Sequence, residues 1–539
     1  MSEHASILIV GSGPAGLISA LTLRKNGVPV RIVERLKEFN GGVRGPGIQP
    51  RTQELLSFLG VLDDVSAIGM KAHQIGKHGV GKEIVAEVPW AEYADDLPSV
   101  PYRSITDVNQ SAFEGVIRGH LEKLGTHVEN GVELVGIEQT DDKVTVKLSI
   151  DGEETTEEYD YVIAADGAKG RSRRMLGIPF VGETKEEDVM LLANVECTDI
   201  DRDHWHTWGE FGQKLFAMKP ISPAPLFQIQ SLGPELPRPL PNDTEDYQEL
   251  LNYISQSTDI KISNVTCASQ WRANIRMAEK FGVGRVFLAG GAQGANTGMQ
   301  DAANIAWKLA LVFKGLAKPS LLTTYEAERQ PVVAEMLNLT SQLHNHAFHG
   351  ESTLGAKKDA GREGDPYWRP KTGLQLGINC RWSPIVVDGR DDDQKTVESN
   401  AYGVSGDKLR AGDRAPEAPG LIEVPSWVET SVFKLISGYD RHHVLVFAGE
   451  EADANVAPFA GYCERAIADV SVITPAGRKL PPMEGVRSFE DRAGHAYEGY
   501  EVSASVSAPA YIVVRPDGII GAYATSVEQV HKYFSAFLV

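Results

Sequence analysis

Cysteine is scarce in this 539-residue chain, and the four present, Cys197, Cys267, Cys380 and Cys463, lie far apart. They form no CxxC pair and no metal-ligand spacing, which excludes a disulfide framework and makes reduced thiols the expectation. Basic residues are in deficit: 53 Lys and Arg face 73 Asp and Glu, a formal charge of −20. That balance disfavours nucleic acid, which needs a basic face, and an anionic membrane surface equally. No apolar run approaches the length of a membrane span. The N-terminus runs straight into an apolar strand with no basic segment and cleavage site, so a cytoplasmic protein is expected. Internal repeats and low-complexity tracts are lacking too. What remains is an ordinary globular composition, too long for one hydrophobic core, which implies two or three domains.

The N-terminal segment carries the most information. Ile7-Leu8-Ile9-Val10 reads as a short buried strand, Gly11-Ser12-Gly13-Pro14-Ala15-Gly16 as a glycine turn, and Leu17 to Leu23 as a helix. Val30-Arg31-Ile32-Val33 forms a second strand that ends at Glu34 and Arg35. In such a unit Gly11 allows the tight turn, Gly13 lets backbone approach a pyrophosphate, and Gly16 lets helix pack on strand. The helix start offers unpaired N–H groups to the diphosphate. Glu34 is placed to accept hydrogen bonds from an adenosine ribose.

Two further blocks share that grammar. Tyr161-Val162-Ile163-Ala164-Ala165 delivers Asp166-Gly167 to the tip of a buried strand, where ligands of doubly wound sheets bind. A basic run from Lys169 to Arg174 follows. Farther on, Arg285-Val286-Phe287-Leu288-Ala289-Gly290 is a strand, Gly291-Ala292-Gln293-Gly294 a glycine-rich loop, and Asn296-Thr297-Gly298-Met299 the start of a long helix. The apolar positions from Ala302 to Val312 recur at helical spacing and are read as core.

Taken together, these blocks resemble the single-component FAD-dependent aromatic monooxygenases, and most closely their phenol hydroxylase-like branch. The likeness extends to Arg44 in Gly42-Val43-Arg44-Gly45-Pro46-Gly47, to Gln110 and Glu114, to Gly373-Leu374-Gln375-Leu376, and to Ala411-Gly412-Asp413-Arg414-Ala415-Pro416. The resemblance implies an α/β fold: a Rossmann-like FAD-binding domain over 1–180 and 266–345 and a β-rich substrate domain over 181–265. A connector over 346–410 and a C-terminal thioredoxin-like domain over 411–539 complete it. It implies that Gly11, Gly13, Gly16 and Glu34 hold the ADP half of FAD, with Ala15 and Arg35 beside them. Arg44 and Gln110 would lie along the ribityl chain and pyrophosphate. Asp166 and Gly167 would stand near FAD and the incoming NAD(P)H, and Asn296, Thr297, Gly298 and Met299 near the isoalloxazine. No second nucleotide fingerprint is present, which fits a nicotinamide held only transiently.

The activity implied is NAD(P)H- and O₂-dependent hydroxylation of a phenol or related aromatic through a flavin C4a-hydroperoxide. Epoxidation or oxidative rearrangement would draw on the same oxidant. The cofactor carries the hard chemistry while the protein excludes water. No catalytic base is identified; Arg44, Arg272 and Arg276 are candidates for easing a substrate proton away. The Trp-x-Trp-x-Ile-Pro signature of a flavin-dependent halogenase is missing. A homodimer is a family expectation, and with Cys463 isolated the C-terminal domain has no dithiol for redox work.

One departure from the pattern stands at Gly290. In the family an Asp, an Ala-Ala-His-like stretch and a Pro separate this strand from the glycine loop, whereas here Gly290 joins Gly291 directly. Either a short segment has been lost from the sequence or the protein is a weakened, divergent relative. Losing the ribityl-binding carboxylate would cost about 1.5–3 kcal/mol. The remaining prediction concerns metal, of which none is expected. His344-Asn345-His346-Ala347-Phe348-His349 follows a helix with no evident carboxylate partner, and His204-Trp205-His206 reads as substrate-domain packing. Connectors are expected in the proline-rich stretch Glu235 to Asp243, from Gly350 to Pro370 and from Gly389 to Pro419, and Arg515-Pro516-Asp517-Gly518 is a hairpin turn.

Overall fold

The protein is described by a computed structural model covering residues 5–39, 47–71, 73–89, 93–291, 294–349, 371–390, 400–403, 408–448, 456–478, 480, 483, 485–504 and 508–539. The expected connector at Gly350–Pro370 and part of that at Gly389–Pro419 lie outside the described residues.

The N-terminal strand Ile7–Val10 is buried along its whole length, as an interior strand of a parallel sheet must be. It lies between Tyr161–Ala164 and Val30–Glu34 in a six-stranded sheet that continues through Val286–Leu288 on one side and Val128–Asn130 on the other. Ile7 and Ile9 face a helical layer, while Leu8 and Val10 face a three-stranded antiparallel sheet formed by Val132–Gln139, Val144–Ile150 and Glu153–Tyr159. Alternate residues thus serve two cores. The helical layer is led by Pro14–Lys25 and Ala295–Phe313, the latter buried from Thr297 to Val312 as its apolar spacing predicts. Parallel register sets Val10 beside Ala164 and Ala164 beside Leu288. The three loops singled out in the sequence therefore leave the sheet at one edge.

A second, seven-stranded sheet has the order Ser263–Ala278, Phe180–Glu196, Leu226–Leu232, Lys214–Pro220, His204–Glu210, Gln74–His78, Ile84–Pro89. Its last two strands come from sequence expected to belong with the nucleotide-binding sheet, and Ser263–Ala278 runs across the expected boundary at 266. Hydrogen bonding to a neighbouring strand, invisible in a linear reading, decided both. Phe216, Met218, Phe227 and Ile229 face the helix Thr244–Ser255 in a separate core. That helix is capped by Asp243, whose side chain accepts the Asp246 N–H.

The C-terminal part is an eight-stranded mixed sheet. The hairpin Ala510–Val514 to Ile520–Ala524 forms as the Arg515–Gly518 turn predicts. Val387–Asp388, from the expected connector, pairs alongside Ile520–Ala524 and so belongs to this sheet. The turn itself is not on the surface. Arg515 is fully buried and donates to both carboxylate oxygens of Glu328 at 2.9 Å and to Asp517 at 2.6 Å. Lys308 Nζ reaches Glu328 at 2.8 Å, and Asn304 and Trp307 donate to Asp517. Two cations and two carboxylates, each hydrogen-bonded, thus join the helices Ala295–Phe313 and Thr323–His349 to the C-terminal sheet. Burial would raise the Glu328 carboxyl, but Arg515 and then Lys308 hold it well below the usual range. Burial pulls Lys308 down to about 8 against the attraction of Glu328.

Candidate active site

The glycine turn is built as its residue types require. Gly11 has φ +103°, and a side chain there would drive into the Ala165 carbonyl. A Cβ on Gly16 would collide with the Gly11 carbonyl oxygen, so helix and strand meet only through glycine. Gly13 differs: its added Cβ would meet nothing within 4 Å. It caps the helix Pro14–Lys25 without a side-chain hydrogen bond, and Pro14 has no N–H to satisfy. The result is open space before a helix start with unengaged N–H groups, suited to a pyrophosphate. Glu34 lies across this turn, its Oε2 accepting from the Ser12 N–H at 3.0 Å and the Ser12 hydroxyl at 3.2 Å. Ala15 is half-buried and Arg35 is exposed just past the strand end.

Opposite stands the second glycine loop. Gly290 has φ +85°, and Ala295–Phe313 starts after Gly294, φ +138°, again without a side-chain cap. Thr297 and Met299 are buried in its first turns. A Cβ on Gly298 would stand 3.4 Å from that of Ala15, which places the two helix starts side by side. Asn296 is committed to backbone: it accepts from Gln49 N–H at 2.9 Å and donates to the Gly47 carbonyl at 2.8 Å. Ala292 and Gln293 of the glycine-rich loop, and Arg44, lie outside the described residues.

Asp301 is a residue the sequence reading passed over. Fully buried, it accepts from Arg329 Nε at 2.7 Å and faces the backbone N–H groups of Gly290 and Gly291. Burial raises its carboxyl above the ordinary value, opposed by Arg329 and by those two N–H groups. An acid two residues past Met299, amid an apolar helix, was the available signal.

Asp166 turns toward its own loop, where its Oδ2 accepts from the Ser172 N–H at 3.0 Å and hydroxyl at 2.9 Å. Gly170 is needed for that approach, since a Cβ there would strike the carboxylate. Gly167 has φ +75° with open space around it. Beyond this turn lies a cavity of about 430 Å³ lined by Lys169, Arg173, Arg174 and Arg276 together with Phe180 and Asn274. Arg173 is tied to the Ile178 carbonyl, whereas the buried Nε of Arg276 has no hydrogen-bond partner among the described residues. Of the other candidates, Arg272 reaches Glu186 at the sheet edge, and Gln110 donates to Glu114 at 2.7 Å at a helix start capped by Asn109.

A polar group missed in the sequence sits where the seven-stranded sheet meets a small three-stranded sheet formed by Gly47–Ile48, Thr106–Asp107 and Met70–Lys71. Lys219 is the one charged residue in Leu215-Phe216-Ala217-Met218-Lys219, and it faces away from the helix that covers Phe216 and Met218. Its Nζ is 2.7 Å from Asp107 Oδ1 and 4.9 Å from the Trp205 ring centroid, with both charges buried. Asp107 pairs with Gly47, the residue whose carbonyl Asn296 holds. Lys219 is thus linked in three steps to the start of the Ala295–Phe313 helix. Asp107 Oδ2, His73 Nδ1 and Asn194 Oδ1 are buried with no hydrogen-bond partner among the described residues. Burial lowers His73 below its usual value, countered by Asp107.

Comparisons with known proteins identify the family. The family described as "FAD binding domain" matches residues 4–340. A flavin-dependent monooxygenase of Mycobacteroides abscessus is 30% identical, covering 98% of this chain and 99% of that one. Pentachlorophenol 4-monooxygenase of Sphingobium chlorophenolicum is 33% identical over 77% of this chain and 76% of its own. Among solved structures, the flavin-dependent monooxygenase PieE in complex with FAD and substrate has a TM-score of 0.77 at 22% identity, covering 98% and 97% of the two chains. Aklavinone-11 hydroxylase in its ternary complex has a TM-score of 0.75 at 24% identity over 99% of each chain. No helix among the described residues is long and apolar enough to cross a membrane. The chain belongs to the FAD-binding family of flavin-dependent aromatic monooxygenases, with FAD as its cofactor.

Proposed function

We propose that this enzyme hydroxylates a phenol or related electron-rich aromatic, consuming one NAD(P)H and one O₂. The balance is ArH + NAD(P)H + H⁺ + O₂ to ArOH + NAD(P)⁺ + H₂O. The chemistry supplied by bound FAD is acceptance of a hydride from the nicotinamide and insertion of one oxygen atom from O₂. The chain's own residues do the rest. The backbone around Gly13 and Ala15 holds the pyrophosphate, and Glu34 exchanges Ser12 for ribose hydroxyls. Gln110 and Asp166 border the chain between the two rings. At the uncapped start of the helix Ala295–Phe313 the Thr297 N–H would receive a ring carbonyl of the flavin, with Gly298 and Met299 beside it, the Gly298 N–H itself being taken by the Gly294 carbonyl. Lys169, Arg174 and Arg276 take the nicotinamide's phosphates in the basic cavity beside Asp166.

The observation that carries the substrate reading is the buried Lys219–Asp107 pair with His73 beside it, in which Asp107 Oδ2 and His73 Nδ1 have no hydrogen-bond partner among the described residues. Lys219 holds a phenolate oxygen, and Asp107 or His73 takes the departing proton. Transfer of the phenol's hydroxyl proton to the acceptor leaves a phenolate, electron-rich at its ring carbons, whose charge the neighbouring cation stabilises. The C-terminal sheet, in which His442–Phe447 pairs parallel with Ala468–Pro475 and antiparallel with Ala510–Val514, supports a thioredoxin-like reading without a dithiol. The test is NAD(P)H oxidation by the FAD-loaded chain across a phenol panel, with ¹⁸O₂ product analysis. Phenol-dependent oxidation with one labelled oxygen is expected, and Lys219→Met should remove it while flavin stays bound. Phenol-independent oxidation yielding only hydrogen peroxide across the panel would overturn the reading.

A further inference from the structure

The last turns of the helix Thr323–His349 meet the strand Phe180–Glu196 through Asp188. His344 and His349 were expected beyond the end of a helix and without a carboxylate. Both belong to that helix, and folding brings Asp188 to them from 156 residues away. The Nε2 of His344 stands 2.7 Å from Asp188 Oδ2, and the Nε2 of His349 stands 3.1 Å from the same oxygen. All three atoms lie within 4.8 Å of one another. At His204-Trp205-His206 a carboxylate is also near, Asp201 at 2.9 Å from His204 and 3.6 Å from His206, but His206 is paired with His78 at 2.8 Å and, among the described residues, only the Asp188 group closes to within 4.8 Å.

We propose that Asp188, His344 and His349 bind a divalent metal ion of zinc type, which clasps the end of the long helix to the substrate sheet. Two imidazoles and one carboxylate suit a borderline ion and not the oxygen-seeking Mg²⁺ or Ca²⁺. Around a tetrahedral Zn²⁺ with bonds of about 2.0–2.1 Å, ligand atoms stand about 3.3 Å apart. Asp188 stands about 0.6 Å nearer to His344 and about 0.2 Å nearer to His349 than that spacing, differences that side-chain rotation can take up. Burial is graded to match: the His344 and Asp188 side chains are 5% and 14% exposed, while His349 is 45% exposed. The inner ligands are fixed and the outer one admits ion and water, leaving a fourth position to solvent. His344 stacks on Phe348 with ring centroids 4.5 Å apart, and Phe348 packs with Leu215 and Leu232 of the sheet. An ion here therefore fixes the helix onto the sheet face that also carries Lys219.

The experiment uses the full-length chain without a polyhistidine tag, stripped by chelator and titrated with Zn²⁺ by calorimetry. One equivalent should bind with micromolar or tighter affinity and raise the thermal midpoint. His349→Gln, at a half-exposed position that tolerates replacement, should weaken binding at least tenfold, and Asp188→Asn should abolish the midpoint shift. Absence of stoichiometric uptake, uptake unchanged in His349→Gln, or Ca²⁺ binding of equal strength would each overturn the proposal.

Discussion

Gly298 lies against Ala15, so that the helix after the third sheet strand and the helix of the N-terminal fingerprint start shoulder to shoulder. Gly298 and Gly13 should therefore fail differently. Gly298→Val forces the helix starts apart, with loss of both stability and flavin. An added Cβ at Gly13 meets no protein atom within 4 Å, so the melting curve of Gly13→Val should stay within about 1 kcal/mol of the parent while FAD affinity falls at least tenfold. Flavin absorbance after desalting, read beside thermal unfolding of the flavin-free protein, separates the two outcomes.

Arg276→Gln tests the basic cavity. Its Nε is buried without a partner among the described residues, so replacement removes a donor that the folded protein does not otherwise use. The KM for NAD(P)H should rise about tenfold, a loss of about 1.4 kcal/mol of binding, with flavin content unchanged. Steady-state kinetics at fixed phenol concentration gives the answer.

Glu328→Gln addresses the buried ionic group. The change leaves Arg515 and Lys308 with one negative charge fewer in a site closed to water. Destabilisation of about 3–5 kcal/mol is expected, as when one partner of a buried pair is removed. Urea unfolding at neutral pH measures it directly.

His442 makes acid stability a sharp test. Burial, and then Arg515, push its imidazole down to about 3, among Trp307, Tyr533, Phe534 and Phe537. The unfolded chain takes up a proton near pH 6.5 that the folded chain refuses. The stability His442 lends is complete above pH 6.5 and is lost as pH falls from there toward 3, by up to about 1.4 kcal/mol per pH unit. His442→Phe should reduce that slope between pH 6.5 and 4 without abolishing it, since burial also pushes His443 and His78 down to about 4, measured as thermal midpoint against pH.

Much of the nucleotide-binding edge was legible in the sequence because its constraints are local. A turn that only glycine can make, or an acid at a strand end, is visible in a dozen consecutive residues. The buried helix from Thr297 to Val312 and the Arg515–Gly518 turn were readable for the same reason. What could not be read is long-range. Asp107 and Lys219 are 112 residues apart, and nothing near either announces the other. The placement of Gln74–His78 in the second sheet is fixed by pairing with His204–Thr207, far along the chain. Asp188 was hidden from the histidines for the same reason, since a contact between distant segments leaves no periodic trace.

The ionic group around Glu328 also bears on how the gene can be cut. Residues 1–349 hold the entire nucleotide fingerprint, yet a fragment ending there would lack the guanidinium and the aspartate that complete its interior. Lys308, Glu328 and the indole of Trp307 would come to an open face, and the piece would aggregate instead of forming a smaller flavoprotein. Shortened versions of this enzyme must keep the final hairpin, whatever else is trimmed away.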